Sequence, residues 1–346
     1  MPETTLLYPL LFEPIYKEKV WGGRAFERLG RTLPGDADTP IGESWELVDL
    51  ASTSASGGGG NAEHSVIANG PLAGTSIDAL IDEHQSRITG DIAGATAAFP
   101  LLIKYLDASE NLSVQVHPSP EYAAVHPEAH LKSEAWYIVD AKPGAVIYKG
   151  LKPGVDADQF RAALAANHDD AVLPLLNTVP VAAGDCHYLP SGTCHALGAG
   201  VLVAEVQTPS DTTFRVYDWG RTHRELHVDQ AIACIDFESA PSDGPSQWEV
   251  RVDRREPTAR RERLVRCPFF QIERIDAKAG HTRTWWAHQP EVWMLLSGQI
   301  AVSPRDGEPV VIGRGQTALL APGTGPLTAS AEQDVSWLRV TVPNAG

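Results

Sequence analysis

The sequence predicts a mainly β protein, and three observations support that prediction. The 346 residues include 30 glycines and 26 prolines, which favour many turns between short strands. Few apolar runs have helical spacing, whereas several short segments alternate apolar and polar residues, as strands with one buried face do. A chain of this length can form one large or two ordinary domains, each with its own core.

The chain is acidic, with 28 lysines and arginines, 44 aspartates and glutamates, and a formal net charge of −16. This balance argues against nucleic acid or an anionic membrane as a general partner. A phosphorylated metabolite can still bind where local basic residues override the overall charge. The sequence has no run of 18 apolar residues that would predict a membrane span. No basic residue precedes the short apolar run near the start, as one would in a secretory signal.

The cysteines favour a reducing compartment. Cys186, Cys194, Cys234 and Cys267 form neither a CxxC pair nor the framework of a secreted disulfide-rich protein. We therefore expect a cytoplasmic protein with reduced thiols. Cys194 adjoins His195, but neighbouring residues of a strand face opposite sides, so Cys194 is interpreted as a buried thiol rather than a ligand.

Strand segments and one helical insertion are expected in the first third of the chain. Residues 7–50 are typical of strands, and Thr75 or Ser76 is placed to cap a helix that stops before Gly90. The apolar segment Phe99–Asp107 then predicts a strand that carries one lysine, Lys104. That lysine either lies at the rim of a site or extends its ammonium group to solvent.

Gln115 and His117 lie two residues apart in the segment Leu112–Pro118, so both project from one face of a strand. An amide oxygen beside an imidazole forms half of a metal site. Taken alone, the pair is more simply two hydrogen-bonding residues on the solvated side of a strand. Glu134 begins another predicted strand, in phase with Trp136, and supplies a carboxylate.

The segment from Gly184 to His195 makes a metal site the better interpretation. Gly184, Pro190, Gly192 and His195 match the second signature of the cupin barrels: Gly, five residues, Pro, one residue, Gly, two residues, His. Gly184 would turn the chain into a strand, and Pro190 with Gly192 would form a tight turn. His195 would then open the next strand and face the interior of the barrel.

With these residues in this order, the chain resembles the class I mannose-6-phosphate isomerases in their shorter bacterial form. The resemblance covers roughly residues 8 to 238 and is fainter beyond them. The matching motifs are Gln115-x-His117-Pro118, Lys132-x-Glu134-x-Trp136-Tyr137, Pro190-x-Gly192-Thr193-x-His195-Ala196 and Ser210-Asp211-x-x-x-Arg215-Val216-Tyr217-Asp218.

The resemblance implies two cupin-type jelly-roll β-barrels with small helical insertions. We expect a metal-binding catalytic domain over residues 1–240, with insertions at about 75–98 and 151–177, joined through a segment of linker composition. Residues 241–346 are expected to form a second domain, in which residues 268–346 repeat the barrel pattern but lack a histidine where His195 stands. The second barrel is therefore expected to be degenerate and metal-free.

For the site, the resemblance implies a metal held by Gln115, His117, Glu134 and His195. Zinc, one per chain, suits two nitrogens and two oxygens at about 2.0–2.2 Å. Iron, manganese or cobalt also accept such ligands and stay open.

The implied reaction interconverts mannose 6-phosphate and fructose 6-phosphate, moving a proton between C2 and C1 through a cis-enediol. It needs a base and electrophilic groups near the sugar oxygens. Arg215 stands at the family's catalytic arginine, and its fixed charge suits an enediolate. Asp211 is placed with it at the rim of the pocket.

Lys132 and Ser113 match positions near the sugar phosphate or the reacting carbons in relatives, and Lys104 is a weaker candidate for the same role. The base is left open, because Asp211, Lys132, Glu134 and a ligand histidine all have suitable chemistry.

Three alternatives remain at this point. An iron dioxygenase of the cupin type usually carries a His-x-His pair, which Gln115 interrupts here. A non-catalytic sugar-binding or regulatory cupin could retain the metal without turnover. The same isomerisation could also act on another aldose phosphate. In each case the expected partner is a small molecule, a phosphosugar for the isomerase, bound by a monomer or homodimer.

Overall fold

The computed structural model describes residues 7–54, 60–90, 92, 98–238, 250–251 and 258–343, and these are mainly antiparallel strands. Up to residue 217 the strands are β1 (Leu10–Leu11), β2 (Ile15–Gly23), β3 (Ile41–Leu47), β4 (Asp49–Leu50), β5 (Glu63–His64), β6 (Leu102–Ala108), β7 (Val114–Val116), β8 (Glu134–Ala141), β9 (Val146–Leu151), β10 (Leu176–Pro180), β11 (Cys186–Leu189), β12 (His195–Leu197), β13 (Val201–Gln207) and β14 (Phe214–Tyr217).

The later strands and the helices complete the described secondary structure. The strands are β15 (Val250–Arg251), β16 (Ala259–Arg266), β17 (Gln271–Ala277), β18 (His281–Trp286), β19 (Glu291–Ser297), β20 (Gln299–Pro304), β21 (Val310–Gly313), β22 (Thr317–Leu320), β23 (Pro326–Ala331) and β24 (Val335–Thr341). The α-helices are α1 (Ile77–Ile88), α2 (Pro120–Val125), α3 (Ala157–Ala166), α4 (Asp169–Val172) and α5 (Val228–Cys234), and 3-10 turns lie at Ala25–Leu29, Gly70–Leu72, Leu173–Leu175 and Pro322–Thr324.

Most of the strands belong to two pairs of sheets. In the first barrel, a six-stranded sheet in the order β11-β8-β13-β6-β3-β2 is paired with a five-stranded sheet in the order β10-β9-β12-β7-β14. In the second barrel, a seven-stranded sheet in the order β1-β22-β19-β24-β17-β16-β15 is paired with a four-stranded sheet in the order β18-β23-β20-β21. The mainly β jelly-roll prediction is confirmed by this architecture and by the structural neighbours described below.

Each barrel has its own apolar core because alternate residues of a strand point to opposite faces. In β8, Trp136 and Ile138 point into the first barrel, where they pack with Val203 and Leu197. Tyr137 points the other way and belongs to a separate core shared with residues of the second barrel. The second barrel is filled in the same manner, around a cluster of tryptophans.

The two barrels pack against each other through their larger sheets. Tyr105 of β6 and Ile272 of β17 are fully buried in the core between them. Arg31 adds a polar link there, donating hydrogen bonds of 2.7 and 2.8 Å to the two carboxylate oxygens of Glu46. Thr317 of the second barrel donates to the same carboxylate at 3.3 Å. The barrels are therefore joined by apolar packing and by hydrogen bonds from Thr317 to Glu46 and from Arg31 to the Gly315 carbonyl.

The first described strand, β1, belongs to the seven-stranded sheet of the second barrel. Leu10 pairs with Leu319 and Leu11 pairs with Ala318, so β1 is an edge strand of the second barrel. The expected boundary near residue 240 falls outside the described residues and stays a prediction.

Helices cover the outer face of the five-stranded sheet. Phe160 and Leu164 of α3 pack in one core with Val116, Val216 and Cys194 of the sheet. Helix α3 starts with a capping box, in which the Asp156 carboxylate accepts from Gln159 N at 2.8 Å. Helices α3 and α4 lie within the expected insertion at 151–177.

Cys194 belongs to this outer core, on the opposite side of its strand from His195, as predicted from strand alternation. Burial raises the pKa of the Cys194 thiol to about 12. Helix α1 lies within the expected insertion at 75–98, with Ser76 as the residue before its first turn; residues 91 and 93–97 of that segment lie outside the described residues. Within the described ranges, every helix is too short or too polar to cross a membrane.

Candidate active site

The four predicted metal ligands come from two facing sheets. Gln115 of β7 and His195 of β12 are direct cross-strand partners in the five-stranded sheet. His117 follows Gln115 by two residues and shares its face. Glu134 begins β8 in the six-stranded sheet and approaches from the opposite side. The site therefore lies between the sheets of the first barrel.

The turn before His195 has the predicted form. Gly184 and Gly192 adopt φ of 101° and 85°, a region that side chains disfavour. Thr193 N donates to Pro190 O at 3.1 Å and closes the turn. β12 then begins at His195, whose ring contacts that of Trp136 edge-on at 5.2 Å between centroids. The spacing read from the sequence thus delivers His195 into the barrel.

His117, Glu134 and His195 form a compact buried cluster. His117 Nε2 lies 3.3 Å from Glu134 Oε2, and His195 Nε2 lies 3.1 Å from Glu134 Oε1. One donor atom from each residue fits within a group whose members are at most 4.8 Å apart. This separation is suitable for three ligands that converge on one ion.

Backbone carbonyls orient both rings. His117 Nδ1 lies 3.0 Å from Thr212 O, and His195 Nδ1 lies 2.8 Å from Thr193 O. Since a carbonyl only accepts, each ring donates its Nδ1–H and turns its Nε2 towards Glu134. Burial, followed by the charge of Lys132, lowers the pKa of His117 to about 3. Its ring is therefore neutral near pH 7, the state that binds a metal.

The cluster leaves buried acceptors without ordinary partners. Among the described residues, His117 Nε2 and both carboxylate oxygens of Glu134 make no hydrogen bond of acceptable geometry, although Lys132 Nζ lies 2.8 Å from Oε2. Burial alone would raise the pKa of Glu134, but Lys132 and His117 hold it well below its usual range. Converging, buried donor atoms of this kind fit a divalent metal ion.

Gln115 lies beside this cluster. Its Oε1 accepts from Ser113 Oγ at 3.3 Å, and its Nε2 lies 3.4 Å from His195 Nε2. Rotating the amide by half a turn exchanges these two atoms and presents the oxygen to the cluster. The amide is therefore close enough to complete a set of four.

A cavity of about 260 Å³ adjoins the cluster and is lined by Gln115 and Lys132 among others. Its charged lining residues are the cations Lys19, Lys104, Lys132, Arg215 and Arg224 and the acids Glu18, Glu43, Glu205 and Asp211. Cations slightly outnumber acids here, although the chain as a whole carries a charge of −16. The cavity can therefore accept an anion that the general surface would repel.

One wall of the cavity continues the strand row that carries the ligands. Arg215 of β14 pairs with Gln115, which pairs with His195 on the other side. Arg215 Nε donates to Ser113 Oγ at 3.2 Å, and Nη1 donates to Glu225 O at 3.0 Å. Adjacent strands lie about 4.8 Å apart, so Arg215 is held two strands away from His195.

The facing wall is a second row, formed by Trp45, Lys104, Glu205 and Trp136 on four adjacent strands. Lys104 is buried, and its Nζ lies 3.7 Å from Glu43 Oε2 and 3.6 Å from Glu205 Oε2. Of the two interpretations left open for this lysine, its position favours the cavity over solvent.

Asp211 lies at the cavity with its carboxylate already engaged. Its two oxygens accept from the backbone N–H of Ser54 at 2.8 and 2.9 Å. The structure therefore brings Ser113, Lys104, Lys132, Asp211 and Arg215 to one cavity next to the four predicted ligands.

Glu205 and Glu43 also line the cavity, although neither is among the site residues predicted from the sequence. Glu205 is buried, accepts from Trp136 Nε1 at 3.0 Å, and has its pKa raised by burial and by the charge of Glu134. The sequence did contain one indication of its role. Glu205 lies two residues from both Val203 and Gln207, so the three side chains share the inward face of the strand. Which strands flank it was not available from local sequence.

The family model and the similar sequences agree on one family. A family model for the catalytic domain of type I phosphomannose isomerase matches residues 10–148. Mannose-6-phosphate isomerase ManA of Bacillus subtilis is 36% identical over 270 residues, covering 76% of this chain and 78% of ManA. Mannose-6-phosphate isomerase of Streptococcus mutans is 36% identical over 270 residues, with coverage of 76% and 77%.

Solved structures share the complete fold. The crystal structure of mannose 6-phosphate isomerase from Bacillus subtilis matches with a TM-score of 0.81 at 27% identity, covering 96% of this chain and 99% of that one. A crystal structure of mannose 6-phosphate isomerase bound with zinc and yttrium matches with a TM-score of 0.71 at 17% identity, covering 97% and 100%. At that identity the likeness concerns the fold.

Proposed function

The chain belongs to the type I phosphomannose isomerase family, and from that membership we propose how its site carries out the reaction. The protein is a metal-dependent isomerase that interconverts mannose 6-phosphate and fructose 6-phosphate. The observation that carries the proposal is the buried His117–Glu134–His195 cluster beside a cation-lined cavity.

We propose that His117, Glu134 and His195 hold one zinc ion per chain, with the amide oxygen of Gln115 as the fourth ligand. The mixture of imidazole and oxygen donors supports zinc, and iron, manganese or cobalt would bind through the same atoms. When bound, such an ion polarises a sugar oxygen as a Lewis acid.

Arg215 is proposed to face the negative charge that develops on the sugar oxygens. Its contacts with Ser113 and the Glu225 carbonyl fix the guanidinium before substrate arrives. A charge that is already in place need not reorganise during the reaction, which is the main advantage of such electrostatic groups. Its place beside Gln115 supports a position within reach of a sugar bound at the cluster.

We place the phosphate where Ser113 and Arg224 line the cavity, which leaves Arg215 for the reacting end of the sugar. Phosphate accepts hydrogen bonds from hydroxyl and guanidinium groups, and Ser113 with Arg224 offers both. Lys104 and Lys132 then lie towards the reacting carbons.

Lys132 suits the role of a donor to a sugar oxygen. Burial alone would lower its pKa, but the charges of Glu134 and Glu205 raise it. The residue is therefore a charged ammonium group rather than a base. The Asp211 carboxylate accepts hydrogen bonds from the backbone N–H of Ser54. We propose that Asp211 holds the loop at the rim of the cavity in place.

Glu205 is our proposal for the group that carries the proton between C2 and C1. Its raised pKa brings its proton affinity closer to neutral pH than that of an ordinary glutamate. It lies on the wall opposite Gln115 and Arg215, so a sugar between the walls is within its reach.

A coupled spectrophotometric assay on mannose 6-phosphate tests this function. Activity should vanish after chelation and return when zinc is added back, with circular dichroism confirming that the chelated protein stays folded. An inactive protein with stoichiometric metal would contradict the isomerase and favour a sugar-binding role. Screening other aldose phosphates in parallel would show whether mannose 6-phosphate is preferred.

We also propose that the protein works in the cytoplasm, which the four free thiols support. All proposed ligands and cavity residues come from one chain, so the site is complete in a monomer or in a homodimer.

A further inference from the structure

Trp45 forms the end of the cavity wall beside Lys104. It is 1% exposed, and it pairs directly with Lys104 on the neighbouring strand. Lys104 Nζ lies 4.7 Å from its ring centroid, and Lys17 Nζ lies 4.9 Å from it. The indole ring is thus in contact with two ammonium groups, an attraction that strengthens where water is excluded.

The same indole also engages Glu43. Trp45 Nε1 donates to Glu43 Oε2 at 2.7 Å, while Glu43 Oε1 lies 3.2 Å from Lys19 Nζ. Burial alone would raise the pKa of Glu43, but Lys19 and Lys104 lower it to about 2, so the group is a carboxylate. Both of its oxygens therefore have a donor close by that is not Lys104.

Lys104 is left at intermediate distance from two acids. Its Nζ lies 3.7 Å from Glu43 Oε2, the oxygen that accepts from Trp45, and 3.6 Å from Glu205 Oε2. A direct ammonium–carboxylate hydrogen bond is about 2.7–2.9 Å long. Neither acid has drawn Lys104 into such a bond, and the indole N–H occupies the Glu43 oxygen that Lys104 approaches.

We infer that Trp45 is a positioning residue: its N–H satisfies Glu43 and its ring holds Lys104, so the ammonium group remains available to a sugar oxygen. This inference rests on the proposed function of the cavity. Without the N–H, Glu43 Oε2 would capture Lys104 and withdraw it from the substrate.

The second barrel offers a matched control. Trp293 is also buried, and its Nε1 donates at 3.1 Å to Glu291, which precedes it by two residues, as Glu43 precedes Trp45. That carboxylate is already bound by Arg339. Trp293→Phe therefore removes the same N–H from the same type of contact, away from the cavity.

The test compares Trp45→Phe, Trp293→Phe and the double variant Trp45→Phe/Glu43→Gln. Trp45→Phe keeps an aromatic ring but loses the donor, and we expect the KM for mannose 6-phosphate to rise about tenfold, the worth of one hydrogen bond to a charged group. Removing the charge at Glu43 should restore most of the affinity, because nothing then captures Lys104. Trp293→Phe should leave KM unchanged.

A purely structural role for Trp45 gives a different result, since a second substitution in a damaged wall would not improve binding. A double variant no better than Trp45→Phe, or an unchanged KM in Trp45→Phe, would overturn the inference. If Trp45→Phe does not fold, 3-benzothienylalanine at position 45 replaces the N–H by sulfur at nearly constant size.

A crystal structure of the Trp45 variant supplies a readout that does not depend on turnover. Lys104 Nζ should move to about 2.8 Å from Glu43, the length of a direct ion pair. Lys104 remaining in its original place would overturn the inference. Absence of turnover in the wild-type protein would instead contradict the proposed function, so the two failures are distinguishable.

Discussion

The two barrels carry a glutamate at the same place and use it differently. Glu134 begins β8, and Glu291 begins β19. Each glutamate is followed two residues later by a tryptophan. Glu134 pairs with Leu189 of the neighbouring strand, and Glu291 pairs with Leu320. The strands on their other side then diverge. Trp136 pairs with Glu205, whereas the corresponding Trp293 pairs with Arg339.

Arg339 makes the difference. It donates to the two carboxylate oxygens of Glu291 at 2.8 and 2.6 Å and to Glu273 at 2.8 Å. Glu134 instead faces the Nε2 atoms of His117 and His195. One framework position thus yields a saturated ion pair in one barrel and a proposed metal ligand in the other, depending on the side chains that neighbouring strands supply.

Removing the two glutamates should have opposite consequences. Glu134→Ala, like His195→Ala, should abolish metal binding and turnover, because the cluster loses one of its three buried donors. Glu291→Ala should retain both but lose about 3 kcal/mol of stability, since Arg339 is left with an incompletely paired buried charge. Metal analysis, the coupled assay and urea denaturation measure these effects; loss of metal in Glu291→Ala would contradict the comparison.

Substitutions of Arg215 and Arg339 should differ next, the first in turnover and the second in stability. Arg215→Ala should keep stoichiometric metal and lower kcat about 10²- to 10³-fold, the usual effect of removing one preorganised electrophilic group. Arg339→Ala should keep kcat near the wild-type value per folded molecule while it destabilises the second barrel. Wild-type turnover in Arg215→Ala would show that the role proposed for this arginine is wrong.

The ion pair of the second barrel should also have a pH signature. Burial would raise the pKa of Glu291, but Arg339 holds it below its ordinary value. A depressed carboxyl pKa contributes stability above the unfolded value of about 4.3, and that contribution is lost as pH falls through the folded value. The difference in unfolding free energy between wild type and Glu291→Leu should therefore shrink as pH falls from 7 to 3; a constant difference would refute this linkage.

The smallest effect is expected at Cys194. Because its thiol lies in the helical layer outside the sheet, Cys194→Ala should leave metal content and kcat unchanged and cost about 1 kcal/mol of stability. Reduced metal content in this variant would place the thiol within reach of the ligands and contradict the strand alternation.

The placement of the four proposed ligands was predictable because it depends on local rules. A strand projects residues i and i+2 from one face, which places Gln115 with His117, and a Pro-x-Gly turn fixes where His195 starts its strand. The cavity was less predictable. Glu205 and Glu43 matter because β13, β6 and β3 are neighbours, and the order of strands in a sheet is not encoded by any short segment.

The same limit applies to the second barrel. Its missing histidine was visible in the sequence, but Arg339 gains its significance only through pairing with Trp293 and Glu273. Residues distant in sequence had to be adjacent in the sheet before the replacement could be recognised.

The pairing of β1 with β22 has a consequence for how the chain folds. Leu10 is among the first described residues to be synthesised, yet its partner Leu319 follows about 300 residues later. During translation β1 can bond to Ala68 and Asn69 early, but it has no partner strand until β22 has left the ribosome. Closing so long a loop slows folding. A protein shortened before Thr317 would lack β22, and the edge of β1 that pairs with β22 would be open to pairing with other molecules.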